Sequence, residues 1–108
     1  MNIYILLFGA IALEVSGTML LPLSQGFTKI IPSALSVLFY CLSIYLLSIT
    51  VQKLPIAIVY ASWAGLGVFT VALLGYIFYK QPLNWQTIIG LFLIIVGVIL
   101  VNIFKGQT

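Results

Sequence analysis

The chain is 108 residues long, 64% hydrophobic and only 5% charged, with a formal charge of +3. A water-soluble domain carries about a quarter charged residues, so this composition excludes a water-solvated globule, a disordered segment, a coiled coil and a nucleic-acid binder. One cysteine, Cys41, leaves no internal disulfide, and the lack of histidine leaves no Cys/His metal set.

A spanning helix needs about 20 apolar residues, and four such runs fit, at about 3–21, 33–51, 56–79 and 85–103. The expected fold class is an all-α integral membrane protein, one four-helix transmembrane domain over residues 1–108 with short hairpin loops. Pro22 closes the first run, Pro32 and Pro55 open the second and third, and Pro82 lies between the third and fourth. At such boundaries a missing N–H costs least. The first run does not read as a cleavable signal peptide: it lacks a basic n-region, exceeds an h-region in length and is interrupted by Glu14. Spanning strands are excluded by the length of the runs and their lack of alternation.

Glu14, in the middle of the first run, is the only acidic residue. A charge at the bilayer centre costs roughly 2.5–3.5 kcal/mol on insertion scales, and no lysine lies at comparable depth to offset it. Low-dielectric surroundings disfavour a bare charge, so such a carboxyl either takes a proton or holds a cation. The plainer alternative is a protonated group hydrogen-bonded between helices. Ala10, Gly17, Thr18 and Leu21 share its face on a helical wheel.

In the second run Ser36, Tyr40 and Ser43 fall on one face, and in the third Tyr60, Trp63, Ala64 and Gly67 recur at i, i+3, i+4 and i+7. Trp63 lies roughly 10 Å into its run at 1.5 Å per residue, deeper than the interfacial aromatic belt. Aromatic faces attract organic cations. Beside one buried carboxyl this stripe reads as the wall of a cation pocket, with ordinary packing as the alternative. Gly65 and Gly67 suit either a hinge or close packing, and Gly90 and Gly97, on one face of the fourth run, suit tight contact between subunits. Cys41 and Asn102 suggest nothing beyond packing or end-capping.

With four spans, Lys53 and Lys105 face one side and Lys29 and Lys80 the other. No positive-inside excess results, which predicts insertion in both orientations and permits an antiparallel homodimer. The alternative is one topology fixed by hydrophobicity or by the terminal amine. No phosphate loop, nucleophile–base pair or metal-ligand set is present, so the chain is not expected to be an enzyme, and no cofactor is expected beyond an ion gradient. One four-helix chain is too thin to enclose a pocket and gate both faces. At least two copies, bringing two Glu14 carboxyls together, are expected.

Several stretches together resemble the small multidrug resistance transporters. They are Glu14-Val15-Ser16-Gly17-Thr18, Gly26-Phe27-Thr28-Lys29, Pro32-Ser33, Leu54-Pro55, Tyr60-Ala61-Ser62-Trp63-Ala64-Gly65-Leu66-Gly67, and Gly90 to Gly97 ending at Val101-Asn102. The resemblance implies an antiparallel dimer in the bacterial inner membrane that exchanges protons for lipophilic cations by alternating access. It assigns Glu14 to bind protons and substrate in competition and Tyr60 and Trp63 to the pocket. Tyr4, Tyr40, Ser43 and Thr18 are weaker members, with Gly17 and Ala10 lining the carboxyl's face, and Gly90 and Gly97 belong to the dimerisation helix. Guanidinium exporters of the family carry tryptophan three residues after the glutamate and lysine near the end of the fourth helix. Here Gly17 and Asn102 stand there, as in quaternary ammonium exporters. The competing readings are guanidinium export and a non-transporting membrane subunit or heterodimer half. Pro22 departs from the lysine that many relatives carry.

Overall fold

A computed structural model describes residues 2–104; Lys105, counted in the charge tally, lies outside the described residues. Four helices follow one another: α1 (Ile3–Ser24), α2 (Ile30–Thr50), α3 (Ile56–Tyr79) and α4 (Trp85–Ile103). Each is long and apolar enough to cross a membrane. Asn2 caps α1 by accepting from the Tyr4 N–H, and Asn84 caps α4 by accepting from the Thr87 N–H, both at 2.8 Å. After α1 the chain turns through Gln25, Gly26 and Phe27, all at positive φ.

Two prolines sit deeper in their helices than the boundaries read from sequence. Pro22 does not end α1, which continues to Ser24. A proline in the last turn forfeits one hydrogen bond, and the neighbouring backbone is braced from α3, where the Tyr79 hydroxyl donates to the Met19 carbonyl at 2.6 Å. At the other end of the turn, α2 starts at Ile30, ahead of Pro32. Pro32 then occupies the first turn, whose N–H groups have no intrahelical acceptor in any case.

The helices pack as a row, α2 against α1, α1 against α3, and α3 against α4. The result is a slab of 46 × 35 × 19 Å, about two helix diameters thick at roughly 10 Å each. Leu7, Ile11 and Val15 of α1 meet Val59 of α3 in a small apolar core, with Trp63, Leu66 and Val71 packed against it. The α1–α2 seam is built differently. Ser36, Ser43 and Thr50, spaced by sevens along α2, are all buried. The Ser36 hydroxyl donates to the Gly17 carbonyl at 2.9 Å, and the Ser43 hydroxyl to the Ala10 carbonyl at 2.7 Å. Helix α4 touches the rest of the chain least: 6% of its apolar window is buried, against 28% for α1.

Candidate functional site

Glu14 projects from α1 toward α3, into a cavity of about 470 Å³ lined by Glu14, Thr18, Tyr60, Trp63, Ala64, Gly67, Val68, Val71 and Ala72. The carboxyl is half-buried. Its Oε1 accepts from the Thr18 hydroxyl at 3.0 Å, and Thr18 Oγ1 lies 2.7 Å from the Tyr40 hydroxyl. The pair Glu14–Thr18 is one turn of α1, which puts both on the same face. The chain Glu14–Thr18–Tyr40 thus ties the carboxyl to α2 through two hydroxyls.

Two glycines give this group its room. A Cβ at Gly17 would stand 3.0 Å from Tyr40 Cε1 and 3.2 Å from the Ser36 carbonyl, so a larger residue would press the Tyr40 ring off α1, and glycine lets it lie close. A Cβ at Gly67 would stand 3.3 Å from Glu14 Oε2. On the facing wall the Tyr60 and Trp63 rings are tilted by 32° with centroids 5.5 Å apart. The indole Nε1 of Trp63 is buried without a hydrogen-bond partner.

The structure therefore gathers Glu14, Thr18, Tyr60, Trp63, Ala64 and Gly67 around one space, with Tyr40 and Gly17 behind Thr18. Other residues singled out from sequence lie elsewhere. Ala10 and Ser43 are buried against each other in the α1–α2 seam and present no surface to the cavity, because the Ser43 hydroxyl is committed to a backbone carbonyl. Tyr4 lines a second cavity, with Ser62 and Asn102. Gly65 and Gly67 lie in an unbroken α3. At Gly65 a Cβ would be 2.4 Å from Val98 Cγ2, so this glycine admits α4. Gly90 and Gly97 have open space beside them, since a Cβ at either would meet nothing within 4 Å, although Gly97 also borders an open groove against Ala61, Ala64 and Gly65 of α3.

Sequence reasoning passed over Val68, Val71 and Ala72, although they continue the Tyr60–Gly67 stripe by one further turn. It also read Asn102 as packing or end-capping. The Asn102 amide nitrogen instead donates to Ser62 Oγ at 2.8 Å and to the Val98 carbonyl at 2.9 Å, and Oδ1 accepts from Tyr4 at 3.3 Å. An amide far along a greasy helix, well past Gln86 at its start, is the available signal.

A carboxyl with hydroxyl donors behind it and aromatic, apolar walls before it suits a proton or a lipophilic cation. The model of the Small Multidrug Resistance protein family matches residues 2–94. The chain belongs to the small multidrug resistance family. It is similar to the multidrug transporter EmrE of Escherichia coli (strain K12), 43% identical over 108 residues, covering 100% of this chain and 98% of EmrE. It is also similar to the quaternary ammonium compound-resistance proteins QacC of Staphylococcus aureus, 45% identical, and QacG of Staphylococcus sp. (strain ST94), 42% identical. Each of these two matches runs over 101 residues, 94% of either chain. As a member of the small multidrug resistance family with four spanning helices, it is a multi-pass transporter of the bacterial inner membrane.

Proposed function

We propose that the chain is a proton-coupled antiporter that exports lipophilic and quaternary ammonium cations by alternating access. The observation that carries this reading is the Glu14 carboxyl, the only acidic group of the chain, opening onto a cavity walled by Tyr60 and Trp63. The names of EmrE, QacC and QacG support the class of cargo. A proton and a cation drive one another only if they compete for the same group. An ionised Glu14 attracts a cation that the aromatic faces also favour, while a protonated one offers it no charge. Release of the cation on one side and of the proton on the other then follows from exposing the carboxyl to each side in turn.

One subunit does not complete such a site. Within one chain the cavity is lined by α1 and α3 alone, and α4 has open space beside Gly90 and Gly97. A second copy, inverted in the membrane, supplies a further wall and fills that space, with α4 packed on α4 through the glycines. The even split of Lys29 and Lys80 against Lys53 and Lys105 agrees with inverted insertion. Gly17, standing where guanidinium exporters of the family carry tryptophan, favours quaternary ammonium over guanidinium as cargo.

The test is proton release on adding benzyltributylammonium to weakly buffered, detergent-solubilised protein. Release is expected, and Glu14→Gln is expected to abolish both release and binding, since an amide fills the same volume without the charge. A Glu14→Gln protein that still concentrates the cation against its gradient, driven by a pH difference, refutes the coupling. Release on guanidinium alone would establish the competing specificity.

A further inference from the structure

We infer that Asn102 is a positioning residue for the cation pocket. Through Ser62 it fixes the rotation of α3 about its own axis, and so sets where the Trp63 indole stands and how strongly aromatic cations are preferred over alkyl ones. The inference rests on the cavity being a cation site.

Two contacts one turn apart key α4 to α3. At one, Val98 abuts Gly65 so closely that no Cβ fits between them. At the other, Asn102 donates to Ser62 Oγ at 2.8 Å, with its second amide hydrogen on the Val98 carbonyl and its oxygen accepting from Tyr4. The steric contact limits approach, and the polar contact resists rotation. Ser62 is 2% exposed, and in the bilayer no water stands ready to replace its partner.

Neither Ser62 nor Asn102 lines the Glu14 cavity; both border the second cavity, on the opposite side of α3. They act on a cation only through their neighbour. Ser62 precedes Trp63, and on a helix consecutive side chains point about 100° apart, so a turn of α3 that slips Ser62 also swings the indole. Trp63 has no hydrogen bond of its own to resist this, its buried Nε1 being unpartnered. Attraction between a cation and a ring depends on the cation meeting the ring face. A rotated indole therefore weakens aromatic cations that stack on it more than alkyl cations held chiefly by the carboxyl.

The experiment uses full-length protein carrying Trp85→Phe, which replaces the 67%-exposed Trp85 and leaves Trp63 as the sole indole. Affinities for tetraphenylphosphonium and tetrabutylammonium are measured in the parent, Ser62→Ala, Asn102→Leu, the double variant and Ser62→Thr, with Trp63 emission and anisotropy recorded alongside. The ratio of the two affinities does not depend on the fraction folded, so simple destabilisation leaves it unmoved. Ser62→Ala and Asn102→Leu are each expected to lower the ratio about three- to fifteenfold, the span of interhelical hydrogen bonds in membranes. The double variant should lose no more than either alone, and Ser62→Thr, which keeps the hydroxyl, should match the parent. Should Asn102→Leu fail to fold, Ser62→Ala against Ser62→Thr decides. An unchanged ratio and unchanged Trp63 emission in Ser62→Ala overturn the proposal, as does a threonine variant no better than alanine. A parent that binds neither cation refutes the cation-site reading itself.

Discussion

Alanine at Gly65 is a direct probe of how α3 and α4 meet. Its Cβ would stand 2.4 Å from Val98 Cγ2 and 3.1 Å from Ile94 Cγ2, whereas non-bonded carbons settle at about 3.5–4.0 Å. Roughly 1 Å must be found. Valine holds essentially one rotamer on a helix, so Val98 cannot swing aside cheaply and the helix axes must part. Parting them stretches the bond from Asn102 to Ser62, now 2.8 Å, beyond useful range. Overpacking costs about 1–3 kcal/mol and the lost interhelical bond about 0.6 kcal/mol. A loss on the order of 2–3 kcal/mol is expected, measured by denaturant unfolding in micelles. Val98→Ala removes the obstructing methyl, so Gly65→Ala/Val98→Ala should recover about 1–2 kcal/mol of that loss. A Gly65→Ala protein as stable as the parent, or a double variant less stable than Gly65→Ala, would refute the close contact and the reasoning built on it.

Thr18→Val removes the hydroxyl that joins Glu14 to Tyr40 and should cost about 1–2 kcal/mol in unfolding measurements, with Thr18→Ser close to the parent. Ser36→Ala and Ser43→Ala should each cost about 0.6 kcal/mol and add, their bonds being two turns apart; cation affinity per folded protein should not change, which a titration checks. Two lysines added to one loop should bias insertion and abolish transport by that variant alone, and co-expression with an oppositely biased variant should restore it. A tagged parent with its C-terminal tag on one side only would contradict balanced insertion.

The four spans were legible because bilayer thickness imposes a length of apolar sequence that few other structures require. Helix ends were less so. Proline suggests a stop at Pro22 and a start at Pro32, yet in a last or first turn it removes a bond the helix can lose. Helical period puts Glu14 and Thr18 on one face of α1 and Tyr60, Trp63, Ala64 and Gly67 on one face of α3; that the two faces meet is suggested only by the chemistry of one carboxyl beside an aromatic stripe. Ser43 shares a face with Tyr40 but ends in the seam, because two residues nearly a turn apart can straddle the edge of a contact. The pairing of Asn102 with Ser62 was out of reach: it depends on which helices are neighbours and on their relative height, and neither is written in a periodicity.

The serine and threonine line of α2 has a consequence for which positions tolerate change. In a water-soluble bundle the buried stripe is greasy and the outer surface admits almost any polar residue. Here the sense is reversed. Ser36 and Ser43 hold α2 in register by donating to carbonyls that already serve α1, using the second lone pair of each oxygen. The outward-facing Ile44, Leu38 and Val37, each half exposed or more, need only be apolar. Random mutagenesis of α2 should therefore return leucine, isoleucine, valine and phenylalanine freely interchanged outside, and only small residues at 36 and 43, with serine favoured over alanine by the bond it makes.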